Sequence, residues 1–337
     1  MELGAVVVVP AREDFMLTHE AQAHDLAASE NSRPFYSSRM PILGNDVLRS
    51  WTERVRKLGV QSLWLTSNSP DESVDRSALA EFARQGVERL LVIQLKSYAE
   101  MDLADLLRFH CESRNPVTEA EDARGPLGVC LRDYLALHAT RQKSAFPSAP
   151  TDSGQIPYQF RGYAKRILSA RERQELVGDG LTGACAMRPL GTQIRNQVWV
   201  GEGAKLADSV RVIGPTYIGA RTIVHAGATI GPFVSVEHDC VVDCGTTMER
   251  STVLPYTYLA PGLLIRNELV DGGVLEDLSW RAVADLRPAG LGSRIQRRES
   301  RRQAFHESDV LSRAGRTSGW DFARSSTASQ PWLRVQL

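Results

Sequence analysis

Residues 194–254 read IRNQVWVGEGAKLADSVRVIGPTYIGARTIVHAGATIGPFVSVEHDCVVDCGTTMERSTVL. Every sixth residue is apolar: Ile194, Val200, Leu206, Val212, Ile218, Val224, Ile230, Val236, Val242, Met248 and Leu254. Two residues ahead of these positions stand Val198, Ala204, Val210, Thr216, Thr222, Ala228, Val234, Cys240, Thr246 and Thr252, nearly all small. With 42% of the chain hydrophobic, so long a run at one fixed spacing does not arise by chance. A period of six fits neither an amphipathic helix nor an alternating strand. It suits a chain that turns a corner every six residues and stacks each coil on the last. The large residue then points inward from each short strand, and the small one leaves room near the corner. Gly201, Gly219 and Gly231 follow large positions, where a corner calls for unusual dihedrals.

The pattern resembles the left-handed parallel β-helix of hexapeptide-repeat proteins. Past residue 254 the frame slips by one, to Val253, Leu259 and Ile265, so an irregular last coil closes the stack near residue 278. A capping helix is expected over residues 278–286. Beyond it the chain is rich in Arg and Ser, with isolated Trp320 and Trp332, which reads as a disordered tail.

Toward the N-terminus the periodicity changes. Residues 5–9 (AVVVV) form a β-branched run suited to a buried, parallel strand. Asn45 can cap a helix that presents Val47, Leu48, Trp51, Val55 and Leu58 on one face and ends at Gly59. Strands are expected at residues 61–66, 89–95 and 127–130, and helices at 77–85, 102–111 and 131–139, with a helical mixture over 158–176. Strands alternating with helices at this spacing argue for an open α/β sheet with right-handed crossovers. The expected domains are therefore 1–176 (α/β), 177–193 (linker), 194–278 (β-helix) and 279–337 (capping helix and tail). The Ser- and Pro-rich residues 140–157 form a loop or linker inside the first of them.

Composition narrows the functional classes. Lys plus Arg and Asp plus Glu both number 40 in 337 residues, so no broad field points to nucleic acid or a membrane surface. Cys111, Cys130, Cys185, Cys240 and Cys244 are odd in number and scattered, unlike a secreted disulfide framework. Cys240 falls on the small position of the repeat and is expected to pack inside the coil. The absence of a basic leader or a long apolar run places the expectation at a soluble, cytoplasmic protein.

An α/β domain followed by a β-helix resembles the sugar-phosphate nucleotidyltransferases, which join a nucleoside triphosphate to a sugar 1-phosphate. Three stretches are similar to segments of that family: residues 40–51 (MPILGNDVLRSW), 91–107 (LVIQLKSYAEMDLADLL) and 262–278 (GLLIRNELVDGGVLEDL). The resemblance implies a Rossmann-like N-terminal domain, a Gly-rich phosphate loop after the first strand, and magnesium held by two Asp residues. Here the first strand is followed by PAREDF (residues 10–15), without glycine, where proline removes a donor and side chains crowd a phosphate. The family's first metal-binding Asp falls on Lys96, and its second on Arg166 in GYAKRILS (residues 162–169). At an effective dielectric of about 20, a divalent ion roughly 4 Å from such a cation would meet ~8 kcal/mol of repulsion. The resemblance thus leads to a degenerate homologue without metal, in which Lys96 and Arg166 either are solvated surface residues of a decayed site or, with Arg12, hold a phosphate or nucleotide directly. The alternative is an active sugar-1-phosphate nucleotidyltransferase with a rearranged site and magnesium.

A different chemistry is suggested within the coils. VEHDC (residues 236–240) resembles the E-H-D-C segment of some sugar N-acetyltransferases, in which a histidine acts as general base toward an acyl acceptor. His238 would fill that role, with Glu237 or Asp239 to orient the imidazole, and His225 lies thirteen residues earlier. The leading expectation remains a regulatory or scaffold subunit of nucleotide-sugar or polysaccharide biosynthesis. It would bind a nucleotide sugar and assemble through the β-helix, with its own copies or with an active nucleotidyltransferase.

Overall fold

The computed structural model describes residues 3–8, 41–60, 62–66, 82–133, 156–272, 274–278, 283–285 and 332–336. These fall into two compact units. The first holds 3–8, 48–60, 62–66, 82–133, 156–166 and 332–336; the second holds 41–47, 167–272, 274–278 and 283–285.

The first unit is a mixed sheet. β1 (Leu3–Val8) pairs in parallel with β2 (Ser62–Thr66) on one side and with β3 (Arg89–Gln94) on the other. Leu90, Leu91, Val92 and Ile93 of β3 are all buried, as expected of a strand covered on both faces. β4 (Ser97–Ala99) follows directly, and then α2 (Leu103–Ser113), the earlier helix α1 being Val47–Lys57. Asp102 caps α2 by accepting from the Ala104 N–H, and Leu103, Leu106 and His110 form its buried face. Trp51, Thr52 and Val55 are the buried residues of α1 within this unit, and Gly59 at φ +78° ends the turn, as the sequence indicated.

From there the sheet departs from the expected parallel alternation. β5 (Val117–Asp122) and β6 (Gly125–Asp133) make an antiparallel hairpin, and β6 pairs antiparallel with β3. Residues 131–133, expected to open a helix, instead extend β6: Leu131 is matched to Leu91 and Thr118, so pairing on both sides overrides local propensity. The rest of that expected helix lies outside the described residues. The helical mixture expected from residue 158 is β7 (Tyr158–Gln159), β8 (Ala164–Arg166) and then α3 (Ala170–Thr182). α3 starts with a capping box in which Ser169 and Glu172 each accept from the other's backbone N–H, and it runs unbroken across the expected 176/177 boundary. Within the expected tail, Trp332–Gln336 is a strand antiparallel to β2 at the sheet edge.

The second unit is a β-solenoid of about four turns. Its first face stacks Val198–Val200, Thr216–Ile218, Val234–Val236, Thr252–Val253 and Glu268–Asp271; two four-stranded sheets form the other faces. Val200 lies under Ile218 and Ile218 under Val236, so one turn takes three six-residue steps. Then Val236 meets Val253, Val242 meets Leu259 and Met248 meets Ile265, each a residue early. The step after Met248 is therefore short, and Val253 rather than Leu254 enters the central stack. At the other end Ile194 is not inward: it is 53% exposed on Thr192–Arg195, which runs antiparallel to Val198–Val200 instead of forming a coil. The expected capping helix is also replaced, because Val274–Asp277 and Val283–Asp285 close the stack as an antiparallel meander.

Only Gly231 of the three corner glycines has a positive φ, +113°. Gly201 and Gly219 are required for close approach: a Cβ would stand 2.3 Å from Ala220 N and 2.5 Å from Glu237 C. The small column behaves as read, with Cys240 buried and its thiol donating to Leu254 O at 3.1 Å, and Thr222 and Thr246 donating to Glu237 O and Ala260 O. α3 packs on the first face, where the Gln174 amide donates to Phe233 O and accepts from the Thr252 hydroxyl. Among the described residues no helix is long and apolar enough to cross a membrane.

Candidate functional site

The first unit brings two of the three expected cations together. β4 and β8 pair antiparallel with Ser97 opposite Arg166, and Lys96 precedes Ser97. Arg12 lies outside the described residues. The floor under Lys96 is well fixed: the Trp51 indole donates to Ser97 O at 3.4 Å, Ser97 Oγ donates to Leu127 O at 2.7 Å, and the Arg54 guanidinium reaches Ala99 O. Lys96 N–H donates to Gln94 O at 2.7 Å, folding the backbone back on itself between β3 and β4.

Arg166 is not presented as a bare phosphate clamp. Arg166 grips Asp122 with both terminal nitrogens, at 2.9 and 3.1 Å, and also donates to Gly125 O and Pro126 O. Asp122, Gly125 and Pro126 frame the β5–β6 turn, so the guanidinium staples the hairpin. The two side chains are 18% and 16% exposed. Arg166 holds the Asp122 carboxyl below the ordinary carboxylate range, mainly through this hydrogen bond. Lys96 stands in the field of Glu119, whose pKa is raised by burial and by Glu121 while Arg132 and Lys96 offset part of the rise. Sequence reading missed Asp122, Glu119 and Glu121. Only the hairpin, whose strands have no distinctive motif, puts Asp122 beside Arg166 and Glu119, with Glu121 next to it, in the field of Lys96.

These residues do not fit a magnesium ion held as in the nucleotidyltransferases. At the two positions where the resemblance expects a carboxylate the chain has Lys96 and Arg166, and among the described residues no three His, Cys, Asp or Glu side chains are grouped to hold a metal ion.

A second constellation sits on a solenoid corner. Arg221, Asp239 and Tyr256 occupy successive coils, each with φ between 56° and 62°. Arg221 binds Asp239 through Nε at 2.8 Å and a terminal nitrogen at 2.5 Å, and the other half of this geometry is His238, whose Nδ1 lies 2.9 Å from Asp239 Oδ2. Burial alone would raise the Asp239 pKa, but the hydrogen bonds from His238 and Arg221 outweigh it and hold the carboxyl far below its usual range. The imidazole is 27% exposed, stands edge-on to Tyr256 at 5.1 Å, and has no hydrogen-bond partner for Nε2 among the described residues. A His oriented by an ionised Asp, with its second nitrogen open, can accept a proton. The spacing of Arg221, Asp239 and Tyr256, one coil apart each, was legible in principle, but only the register tells which pairs meet. His225 follows Val224 on the second face and does not join this group.

Glu237 does not orient the imidazole, the role open to it from sequence. It is 0% exposed and points to the turn at residues 42–45: the Leu43 and Gly44 N–H groups donate to its two oxygens at 2.8 and 2.9 Å, and Ser235 donates at 3.0 Å. Burial pushes its pKa up, while buried Arg173 and these donors act the other way; the Arg173 pKa is itself lowered by burial to about 10. The PILGN part (residues 41–45) of the segment is thus docked on the solenoid, with Asn45 Nδ2 donating to Arg188 O at 2.7 Å.

No family model matches the chain. A curated UTP–glucose-1-phosphate uridylyltransferase from Synechocystis sp. is similar to it, with 30% identity over 103 residues. The match covers 30% of this chain and 26% of the relative, so the chain spans about a quarter of the length of the protein it matches. That likeness to a nucleotidyltransferase, and the order of a mixed α/β sheet before a β-solenoid, agree with the resemblance drawn from the sequence.

Proposed function

We propose that this chain is a degenerate sugar-phosphate nucleotidyltransferase homologue that serves as a non-catalytic regulatory or scaffold subunit in nucleotide-sugar or polysaccharide biosynthesis. The observation that carries the reading is the Arg166–Asp122 clamp. Where the family resemblance calls for a carboxylate that holds magnesium, a guanidinium is committed to the backbone and side chain of a hairpin. Nucleotidyl transfer relies on a cation to neutralise charge developing on the phosphates. Arg166 supplies little of that, because Asp122 already neutralises it, and Lys96 stands in the field of Glu119. Lys96, with Arg12, remains the group available for a nucleotide-sugar phosphate. Self-assembly, or assembly with an active nucleotidyltransferase, through the solenoid belongs to the same reading.

The test is pyrophosphate release from a panel of nucleoside triphosphates and sugar 1-phosphates with magnesium, alongside thermal unfolding with nucleotide sugars. No release, with magnesium-independent stabilisation by a nucleotide sugar, is the expected result. A ligand at about 100 times its Kd adds ~2.7 kcal/mol to stability, enough to see as a midpoint shift. Magnesium-dependent release of pyrophosphate would replace the proposal with an active enzyme using a rearranged site.

The His238–Asp239–Arg221 arrangement favours a second reading, an acyltransferase with His238 as general base. Asp239 fixes the tautomer through Nδ1 and supports the imidazolium, leaving Nε2 to take the acceptor's proton. Acetyl transfer from acetyl-coenzyme A to amino sugars, lost in His238→Ala, would establish it; transfer that persists in that variant would remove His238 from the chemistry.

A further inference from the structure

The first coil of the solenoid is unfinished on its outer side. Val200, Ala204, Leu206, Val210 and Val212 are only half-buried, whereas Ile218, Thr222, Val224, Ala228 and Ile230, one coil further on, are buried. A cleft of about 160 Å³ opens there among Ile194, Val198, Leu206, Val210 and Val212. Lys205–Leu206 and Arg211–Val212 begin their sheets and are paired on one side only among the described residues. The far end of the stack differs, because the antiparallel meander covers it.

We propose that this open end is an interface between two copies of the chain, packed first coil against first coil about a two-fold axis. Such an interface must be self-complementary, each residue meeting a partner that it serves in return. Arg195 and Asp208 both line the cleft, both are exposed, and neither has a charged or hydrogen-bonding partner among the described residues. A two-fold axis places Arg195 of one copy by Asp208 of the other, twice over. The rest of the coil alternates in sign along Glu202, Lys205, Asp208 and Arg211, so no single-sign field opposes the approach. Under the same axis the open strand edges meet antiparallel, the arrangement in which unpaired N–H and C=O groups find partners across chains. The half-buried inward residues are covered in the same step. This inference rests on the solenoid alone and stands whether or not either catalytic reading holds.

Sedimentation of the full chain over a concentration series tests it. Wild type is expected to form a dimer, Asp208→Arg and Arg195→Asp each to weaken it at least ~10-fold, and the double exchange Arg195→Asp/Asp208→Arg to bring the affinity back. Val210→Glu, which puts a charge into the cleft, is expected to leave a folded monomer. A wild type that stays monomeric, an assembly indifferent to Asp208→Arg, or a double variant no tighter than the singles would overturn the proposal, the second of these outcomes moving assembly to a solenoid flank.

Discussion

Replacing Arg166 by Met separates a structural cation from a ligand-binding one. The substitution keeps most of the aliphatic length and removes the guanidinium. It leaves the Asp122 carboxylate, 16% exposed, without the two charge-assisted bonds at 2.9 and 3.1 Å, and it strips donors from Gly125 O and Pro126 O. A hydrogen bond to a charged group contributes about 1.5–3 kcal/mol, and breaking a buried pair costs about 3–5 kcal/mol. Since the turn keeps some access to water, ~2–4 kcal/mol is expected. Native-state hydrogen exchange reports it locally: amides of β5 and β6 should lose roughly 30- to 900-fold protection, at about 1.4 kcal/mol per tenfold. Acid sensitivity should change in step. The Asp122 pKa is lowered in the fold, so its contribution is present above the ordinary value of 3.8 and is lost as pH falls through the folded value. Arg166→Met should erase that part of the acid slope. Unchanged protection in the hairpin, with a nucleotide-sugar affinity that collapses, would refute the clamp and return Arg166 to the ligand.

Other perturbations address the remaining elements. Ile218→Asp places a carboxylate in the buried central stack and should cost at least ~4 kcal/mol, seen as loss of the solenoid's strand signal in circular dichroism; a folded solenoid would mean that Ile218 does not point inward. Glu237→Ala leaves the Leu43 and Gly44 N–H groups and the Ser235 hydroxyl without their acceptor and should destabilise by ~3–5 kcal/mol, with fast exchange at Leu43 and Gly44 as the local mark. His110 is buried, its Nδ1 2.8 Å from Thr118 Oγ1 and its Nε2 3.3 Å from Asp133, which also meets Arg89; burial lowers its pKa more than Asp133 raises it. The unfolded chain then takes up the proton first, so stability should fall as pH drops below about 6.5, a slope absent in His110→Gln urea titrations.

The solenoid was readable because its constraint is repetitive: each six-residue step needs one large inward residue, and eight successive positions from Val200 to Val242 obey it in the stack as well as in the sequence. Its ends were misread where repetition stops. Ile194 satisfies the spacing but has no coil beneath it, and Leu254 was counted inward although the slipped frame, read correctly at Val253, Leu259 and Ile265, already leaves it out of the stack. In the first unit, β1, β2, β3, α1 and α2 were legible from apolar runs and caps, whereas of the β5–β6 hairpin, mixed in composition, only residues 127–130 were read as strand. The two aligned cations were also legible, but their partners were not, since Asp122 lies 44 residues from Arg166.

The amino-acid sequence by itself determined that the chain has a coiled β-stack after an α/β region, and that Lys96 and Arg166 carry positive charge in the two stretches that resemble metal-binding segments of the nucleotidyltransferases. Periodicity and charge are local properties, carried by each residue wherever the chain goes. Only the tertiary structure decided what those charges do: that Arg166 is spent on Asp122, that Asp239 rather than Glu237 orients His238, and that Glu237 fastens Leu43 and Gly44. Those outcomes depend on which distant segments share a face, and on how burial weights each charge against its neighbours.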